Sequence, residues 1–193
     1  GALSDKDPTA TNFNVSATSS AGLTVSFTSS TTSVCTVTSG GTVDVLTPGT
    51  CTITASQAGG ATGGITYDAA TPVSQSFTVR TGQTITFTAP SPVDEDAADF
   101  ALTATADSGL AVTYTSNSPS VCTVTSDGTV TMVAYGTCSI TAAQAGGTNS
   151  GTSYAAATSV TRTVTAAKAT QAAVSVTAPT AGTFGQALDM TAT

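Results

Sequence analysis

Histidine and tryptophan are absent from this 193-residue chain, and four lysines and arginines stand against eleven aspartates and glutamates. Without histidine there is no Ser-His-Asp or Cys-His catalytic engine, and no His-ligated zinc or haem. Four basic residues and a net charge of −7 leave no electrostatic footprint for nucleic acid. Charged residues make up only 8% of the chain and aromatic ones 5%, so charged or aromatic binding platforms are scarce too. No stretch reaches the roughly 18 consecutive apolar residues of a membrane-spanning helix. The N-terminus lacks the charged-then-apolar pattern of a secretory signal, so any such signal is expected to lie outside this chain. Leu, Glu, Lys and Arg are few, which argues against helices. Disorder combines low hydrophobicity with high charge. Here 39% of residues are hydrophobic, and they alternate with polar ones.

What the chain has is threonine, 44 of them, and a repeat. Ser33-Val34-Cys35-Thr36-Val37-Thr38 returns as Ser120-Val121-Cys122-Thr123-Val124-Thr125. Gly49-Thr50-Cys51-Thr52-Ile53-Thr54-Ala55 returns as Gly136-Thr137-Cys138-Ser139-Ile140-Thr141-Ala142. Gln57-Ala58-Gly59-Gly60 returns as Gln144-Ala145-Gly146-Gly147, and Tyr67 as Tyr154. Every pair is offset by 87, and the register holds from Phe13/Phe100 to Val73/Val160 without a gap. Self-similarity at a fixed period is the mark of a repeat architecture.

The ends are out of phase with the unit. Gln83-Thr84-Ile85-Thr86-Phe87-Thr88-Ala89-Pro90 has no counterpart in the first copy, because Gly1 falls opposite Thr88. Gln171 to Pro179 resembles it, as the opening strand of a third copy, and Leu188 to Thr193 echoes Phe100 to Thr105. The expected organisation is therefore 1–80, a unit lacking its first strand; 81–168, a complete unit; and 169–193, two strands of a third. The short linkers are Arg80-Thr81-Gly82 and Ala167-Lys168-Ala169-Thr170.

Period-2 alternation between turn residues predicts strands near 83–89, 100–106, 111–117, 121–125, 129–133, 137–143 and 160–166. Ser126-Asp127-Gly128-Thr129, with Ser39-Gly40-Gly41 opposite it, signals a hairpin turn. Seven short strands in one unit is the pattern of an immunoglobulin-like sandwich. The fold class expected is thus all-β, with tandem sandwiches in an elongated array. The Gly-, Ala- and Ser-rich tracts 57–71 and 144–158 read as long loops between the last two strands.

Three runs carry a family resemblance: Val112 to Val124, Asp127 to Val133, and Gly136 to Ala142. Together they resemble the bacterial Ig-like (group 2) domains that build the rod-like ectodomains of invasins, intimins and large repetitive surface proteins. The resemblance implies an extracellular spacer or adhesin stalk, and it transfers no catalytic or binding residue. It departs from the pattern where Cys35, Cys122, Cys51 and Cys138 replace small residues.

Each copy has two cysteines 16 residues apart at identical places. Alternation puts Cys122 on the face of Val124 and Cys138 on the face of Ile140, both inward, so the sulfurs can meet inside the sandwich. The pairing expected is Cys35–Cys51 and Cys122–Cys138, in an oxidising, extracellular setting. The alternative is four buried thiols acting as small hydrophobes. Two cysteines per copy without histidine cannot fill a zinc tetrahedron.

Asp94, Glu95, Asp96 and Asp99 put four carboxylates in six residues, a supply of oxygens for Ca²⁺, a hard ion that takes about six to eight. Their partial counterpart is Asp5 and Asp7, and the third copy has none, which favours a solvated acidic loop; no other cofactor is expected. Outward Thr-x-Thr runs are what a solvent-facing strand prefers. Turns interrupt them too often for an ice- or sugar-binding array. Only Lys6 and Lys168 are lysines, so a Lys–Asn crosslink in each unit is excluded. Tyr67 and Tyr154 are expected to anchor the long loops.

The leading expectation is a non-enzymatic structural segment of a bacterial surface protein, fibre or adhesin stalk. The rival is a glycan- or receptor-binding module using loops 57–71 and 144–158. The expected partners are neighbouring copies of the repeat. They are joined covalently, in a longer array, or by insertion of strand Ala172–Ala178 into the first unit of the next chain.

Overall fold

The computed structural model describes residues 2–171. The expected third unit, including Ala172–Ala178 and Leu188–Thr193, lies outside the described residues apart from its linker. Among the described residues every regular element is a strand. The first eight are β1 (Phe13–Asn14), β2 (Ser26–Ser29), β3 (Cys35–Val37), β4 (Thr42–Val45), β5 (Gly49–Gln57), β6 (Gly60–Thr62), β7 (Ile65–Tyr67) and β8 (Ala70–Val79). The next run is β9 (Ile85–Phe87), β10 (Val93–Asp94), β11 (Phe100–Ala101), β12 (Ala104–Ala106), β13 (Thr113–Ser116), β14 (Cys122–Val124) and β15 (Thr129–Met132). It ends with β16 (Gly136–Ala143), β17 (Gly147–Asn149), β18 (Thr152–Tyr154) and β19 (Val160–Ala167).

Alternation places the core. Along β16, Cys138, Ile140 and Ala142 are buried, while the residues between them are partly exposed. Sheet β1-β4-β3 faces sheet β2-β5-β8, and Phe27, Cys35, Val43, Cys51, Ile53, Phe77 and Val79 fill the first core between them. Sheet β10-β19-β16-β13 faces β11-β15-β14 and the pair β12-β9. The second core between them holds Ile85, Phe87, Leu102, Tyr114, Val130 and Ile140 among others. The sequence offset of 87 recurs in the pairing. Phe13 opposes Val43 as Phe100 opposes Val130, and Cys51 opposes Phe77 as Cys138 opposes Val164.

The turn predicted at Ser126–Thr129 needs glycine for two reasons. Gly128 has φ +101°, and a Cβ there would come within 2.8 Å of the Tyr114 ring. Left-handed backbone without a Cβ is what only glycine supplies freely.

Three expectations are corrected. The tracts 57–71 and 144–158 are not open loops. β6 pairs with β7 and β17 with β18, through two-residue turns whose central residues all have positive φ: Gly63 and Gly64, then Ser150 and Gly151. That is the turn geometry matching strand twist, and it folds stretches too poor in large apolar residues to show alternation. The strand expected over 100–106 changes partner at Leu102-Thr103, β11 joining β15 and β12 joining β9. Alternation reports which face is buried, not which strand lies alongside. Finally, the acidic segment contains β10, which runs parallel to β19 with Val93 opposite Ala166.

Outside, hydroxyls pair across strands. Thr52 bonds Ser76, Thr54 bonds Ser74 and Thr141 bonds Thr161, each at 2.8 Å between oxygens. Among the described residues the ion pairs are those of Arg80 with Asp5 and Asp7.

Candidate functional site

The cysteines lie at the centre of each core. Cys35 on β3 is bonded to Cys51 on β5, and Cys122 on β14 to Cys138 on β16, with Cα atoms 5.7 and 5.6 Å apart. All four side chains are fully buried. Each bond ties one sheet of its sandwich to the other.

The acidic residues do not converge. β10 draws Asp94 into backbone pairing with Ala167, and the Glu95 carboxylate accepts the Tyr135 N–H at 3.1 Å. Among the described residues no three His, Cys, Asp or Glu side chains form a group able to hold a metal ion. Asp94, Glu95, Asp96 and Asp99, adjacent in sequence, are therefore not a ligand set in this geometry. Their counterparts Asp5 and Asp7 face Arg80, and Asp5 also accepts the Thr78 N–H at 2.9 Å.

The tyrosines differ between copies. Tyr154 is half-buried, and its strand bridges to linker residue Thr81; the Thr81 N–H donates to Ser153 O at 2.7 Å. Tyr67 remains exposed in hairpin β6–β7, every residue of which is exposed. Apart from Asp68, the two hairpin tracts carry no charge.

The feature with the shape of a binding site is a groove of about 530 Å³ along the first core. Ala17, Val25, Phe27, Ala55, Ala70 and Val73 are among the residues lining it. Its origin is clear from the second core, where β9 fills the corresponding space. There Ile85 and Phe87 are buried, and the Phe87 ring meets Tyr114 edge-on with centroids 5.8 Å apart. β9 pairs antiparallel with β12, Arg162 Nε donates to Phe87 O at 3.0 Å, and Gln83 is held by Gln144, Ser108 and the Ala155 carbonyl.

Among the described residues no strand lies at that place in the first core. The consequence is read residue by residue. Ala104, Ala157 and Val160 pack against the second core, whereas their counterparts Ala17, Ala70 and Val73 are exposed, Val73 by 59%. Ala17 and Thr18, counterparts of Ala104 and Thr105, make no backbone hydrogen bond among the described residues. The groove thus has an apolar floor beside a stretch of backbone, Ala17–Thr18, that belongs to no strand. That floor is tertiary and escapes sequence reading.

The residue just before β9, Thr84, makes a titratable link. The Thr84 hydroxyl and backbone N–H donate to the Asp107 carboxylate at 2.7 and 3.0 Å. These bonds, the hydroxyl's first, hold the Asp107 carboxyl below its ordinary value of 3.8. A carboxyl depressed in the folded chain adds stability above its unfolded pKa, and that stability is lost as pH falls through the lower folded value. The expected result is an NMR titration midpoint for Asp107 below that of an unstructured aspartate. Asp107→Asn should then flatten the acid limb of the second core's stability. A midpoint at the ordinary value speaks against the Thr84 link.

Comparison with known families now has a fold to rest on. Residues 110–149, which run from the start of β13's approach through β17, match the family described as Bacterial Ig-like domain (Big-like). The matched stretch contains the Cys122–Cys138 bond, and its repeat in sequence is 23–62. Comparison with curated protein sequences returns no match. Among solved structures, human protocadherin-24 EC1-2 is similar at 13% identity, over 88% of this chain and 94% of that one, with TM-score 0.37. Surface layer protein SbsC domains 1–6 is similar at 20% identity, over 80% and 21%, with TM-score 0.30. A C-terminal 282-residue intimin fragment, solved with the intimin-binding domain of its translocated receptor, is similar at 22% identity, over 74% and 51%, with TM-score 0.38. This chain spans about a fifth of the SbsC chain and half of the intimin fragment. At these scores the likeness transfers neither ligand nor partner to this chain.

Proposed function

We propose that this chain is a load-bearing segment of an extracellular bacterial surface protein, built of Ig-like units in tandem over 1–80 and 81–168. The observation carrying this reading is that each of two separate cores is stapled through its centre by its own disulfide. Disulfides persist outside the reducing cytosol. A bond tying the two sheets of a sandwich limits how far the unit can extend when pulled. The bacterial Ig-like match over 110–149 supports the same setting. No catalytic step is assigned to any residue. The binding-module alternative finds less support, since tracts 57–71 and 144–158 are folded into hairpins of small residues, with Ile65 and Tyr67 as their large exposed side chains.

Pulling single chains end to end tests this. Two rupture events are expected. Reductant should lengthen each by about 50 Å, the extended length of the residues locked between the cysteines. One event, or no lengthening, defeats the proposal.

A further inference from the structure

We infer that hairpin β17–β18 is a clasp for the linker that enters its own unit, and that this clasp holds the two units in one fixed orientation. The inference rests on the tandem reading above and goes beyond it by naming the contact that stiffens the joint.

The linker is short and tied on both sides. Towards the first unit, the Lys6 N–H donates to Thr78 O and the Arg80 N–H donates to Lys6 O, both at 2.9 Å. The Arg80 guanidinium adds contacts with Asp5 and Asp7 at 3.9 and 3.3 Å. Towards the second unit, the Thr81 N–H donates to Ser153 O at 2.7 Å, and the Ala155 N–H donates to Thr81 O at 2.9 Å. Thr81 therefore lies parallel to β18, opposite Tyr154, as a third strand on the hairpin. Gly82 lies against Pro8, whose Cγ is 3.6 Å from where a Cβ would stand.

Gln83 closes the clasp. It is buried, its side-chain N–H groups donate to Gln144 Oε1 and Ala155 O, and its side-chain carbonyl accepts the Ser108 hydroxyl. A buried amide with its groups paired cannot swing out without leaving those partners unsatisfied. The same two partners fasten the hairpin to its unit. The Asn149 amide donates to Ser108 O at 2.7 Å, and the Gly146 N–H donates to Gln144 Oε1 at 2.6 Å. Gln144 and Ser108 thus hold linker and hairpin together.

The units meet through little else. Among the described residues no hydrogen bond or ion pair joins them except at linker residues 80–83. Pro48, Gly49 and Thr50 face Thr148, Thr152 and Ser153 across a cleft of about 500 Å³. The facing ends leave that space between them, so the clasp sets the orientation. It also shields the chain's exposed joint from cleavage. Arg80 is one of only four basic residues, and so marks one of few trypsin sites. Its N–H, with the N–H and carbonyl of Thr81, is already taken and cannot pair with a protease.

The test uses the full chain, with hydrogen exchange, trypsin digestion and small-angle scattering. The Thr81 and Ala155 amides should exchange at least about tenfold more slowly than in an unstructured peptide. Scattering should fit a single arrangement of the two units. Thr81→Pro removes one donor at a half-buried linker position. It should speed Ala155 exchange about tenfold and spread the arrangements, while both cores keep their denaturation midpoints. Gln83→Ala should speed cutting after Arg80 by a similar factor. Thr81→Ala keeps its N–H and should change none of these.

Thr81 and Ala155 amides that exchange as in an unstructured peptide overturn the inference. So does scattering of the unsubstituted chain that needs a spread of arrangements, or a Thr81→Ala chain that opens as Thr81→Pro does. Failure of the tandem reading shows elsewhere, in the number of rupture events on pulling, which these amides do not report.

Discussion

Replacing Cys122 and Cys138 together by alanine is expected to destabilise the second core by about 3 kcal/mol while leaving the first unchanged. A crosslink stabilises mainly by restricting the unfolded chain, and a loop of this size contributes about that much. Here the effect is large relative to the whole, because small domains are held by only about 5–15 kcal/mol. The sulfurs are fully buried, so the lost crosslink is joined by a small packing defect. The separation of the cores makes the experiment clean. Cys35–Cys51 lies in other strands and shares no core residue with the substituted pair. Chemical denaturation with fluorescence or amide probes in each half should give two midpoints, of which only one moves. If both shift together, the cores are not independent. If neither shifts, the bond contributes nothing to folding.

Phe87→Ala should be comparably severe. A buried aromatic cut to alanine costs about 3–5 kcal/mol, through lost burial and the cavity left behind. Phe87 is 3% exposed and meets both the Tyr114 ring and, through its carbonyl, Arg162. It belongs to a three-residue strand held on one side by β12 alone. Its loss therefore loosens β9 as a whole and gives the second core a groove like that beside Val73. Hydrogen exchange at Asp107, whose N–H donates to Thr84 O at 3.1 Å, reads this directly: that amide should lose protection while β16 keeps its own. Unchanged protection there means that β9 is held by its flanks and not by Phe87.

How much of this was legible in the sequence depends on what each signal measures. The alternation through Cys138, Ile140 and Ala142 reports a buried face, and that face is where the strand places it. The offset of 87 is a statement about local sequence, and the pairing Phe13–Val43 repeats as Phe100–Val130 because equal local sequences fold alike. Other features escaped. Hairpins β6–β7 and β17–β18 are mostly Gly, Thr, Ala and Ser, with Ile65, Tyr67, Asn149 and Tyr154 too sparse to mark a buried face, so they form through turn geometry and neighbours, not alternation. Crowding of Asp94 to Asp99 left a Ca²⁺ site and a solvated acidic loop both open. What separates their side chains is tertiary: Asp94 lies on β10, Glu95 and Asp96 form the turn closed by the Ala97 N–H on Asp94 O, and Glu95 reaches the Tyr135 N–H. As for the groove, Val73 and Val160 look identical in sequence. Only the packing around them makes one exposed and the other half-buried.

The paired hydroxyls on the outer strands have a consequence for where such a chain can live. Thr52–Ser76, Thr54–Ser74 and Thr141–Thr161 are neutral dipoles, and they bridge strands where many proteins use charges. Dissolved ions act on charges: the screening length falls from about 30 Å at 0.01 M to about 3 Å at 1 M. Among the described residues that screening reaches few contacts: those of Arg80, the hydrogen bonds of Glu95, Asp107 and Arg162, the lysines over Phe13 and Tyr135, and the mild self-repulsion of the acidic side chains. A shell held by hydroxyls and two buried sulfur bonds is as firmly closed in brine as in rainwater.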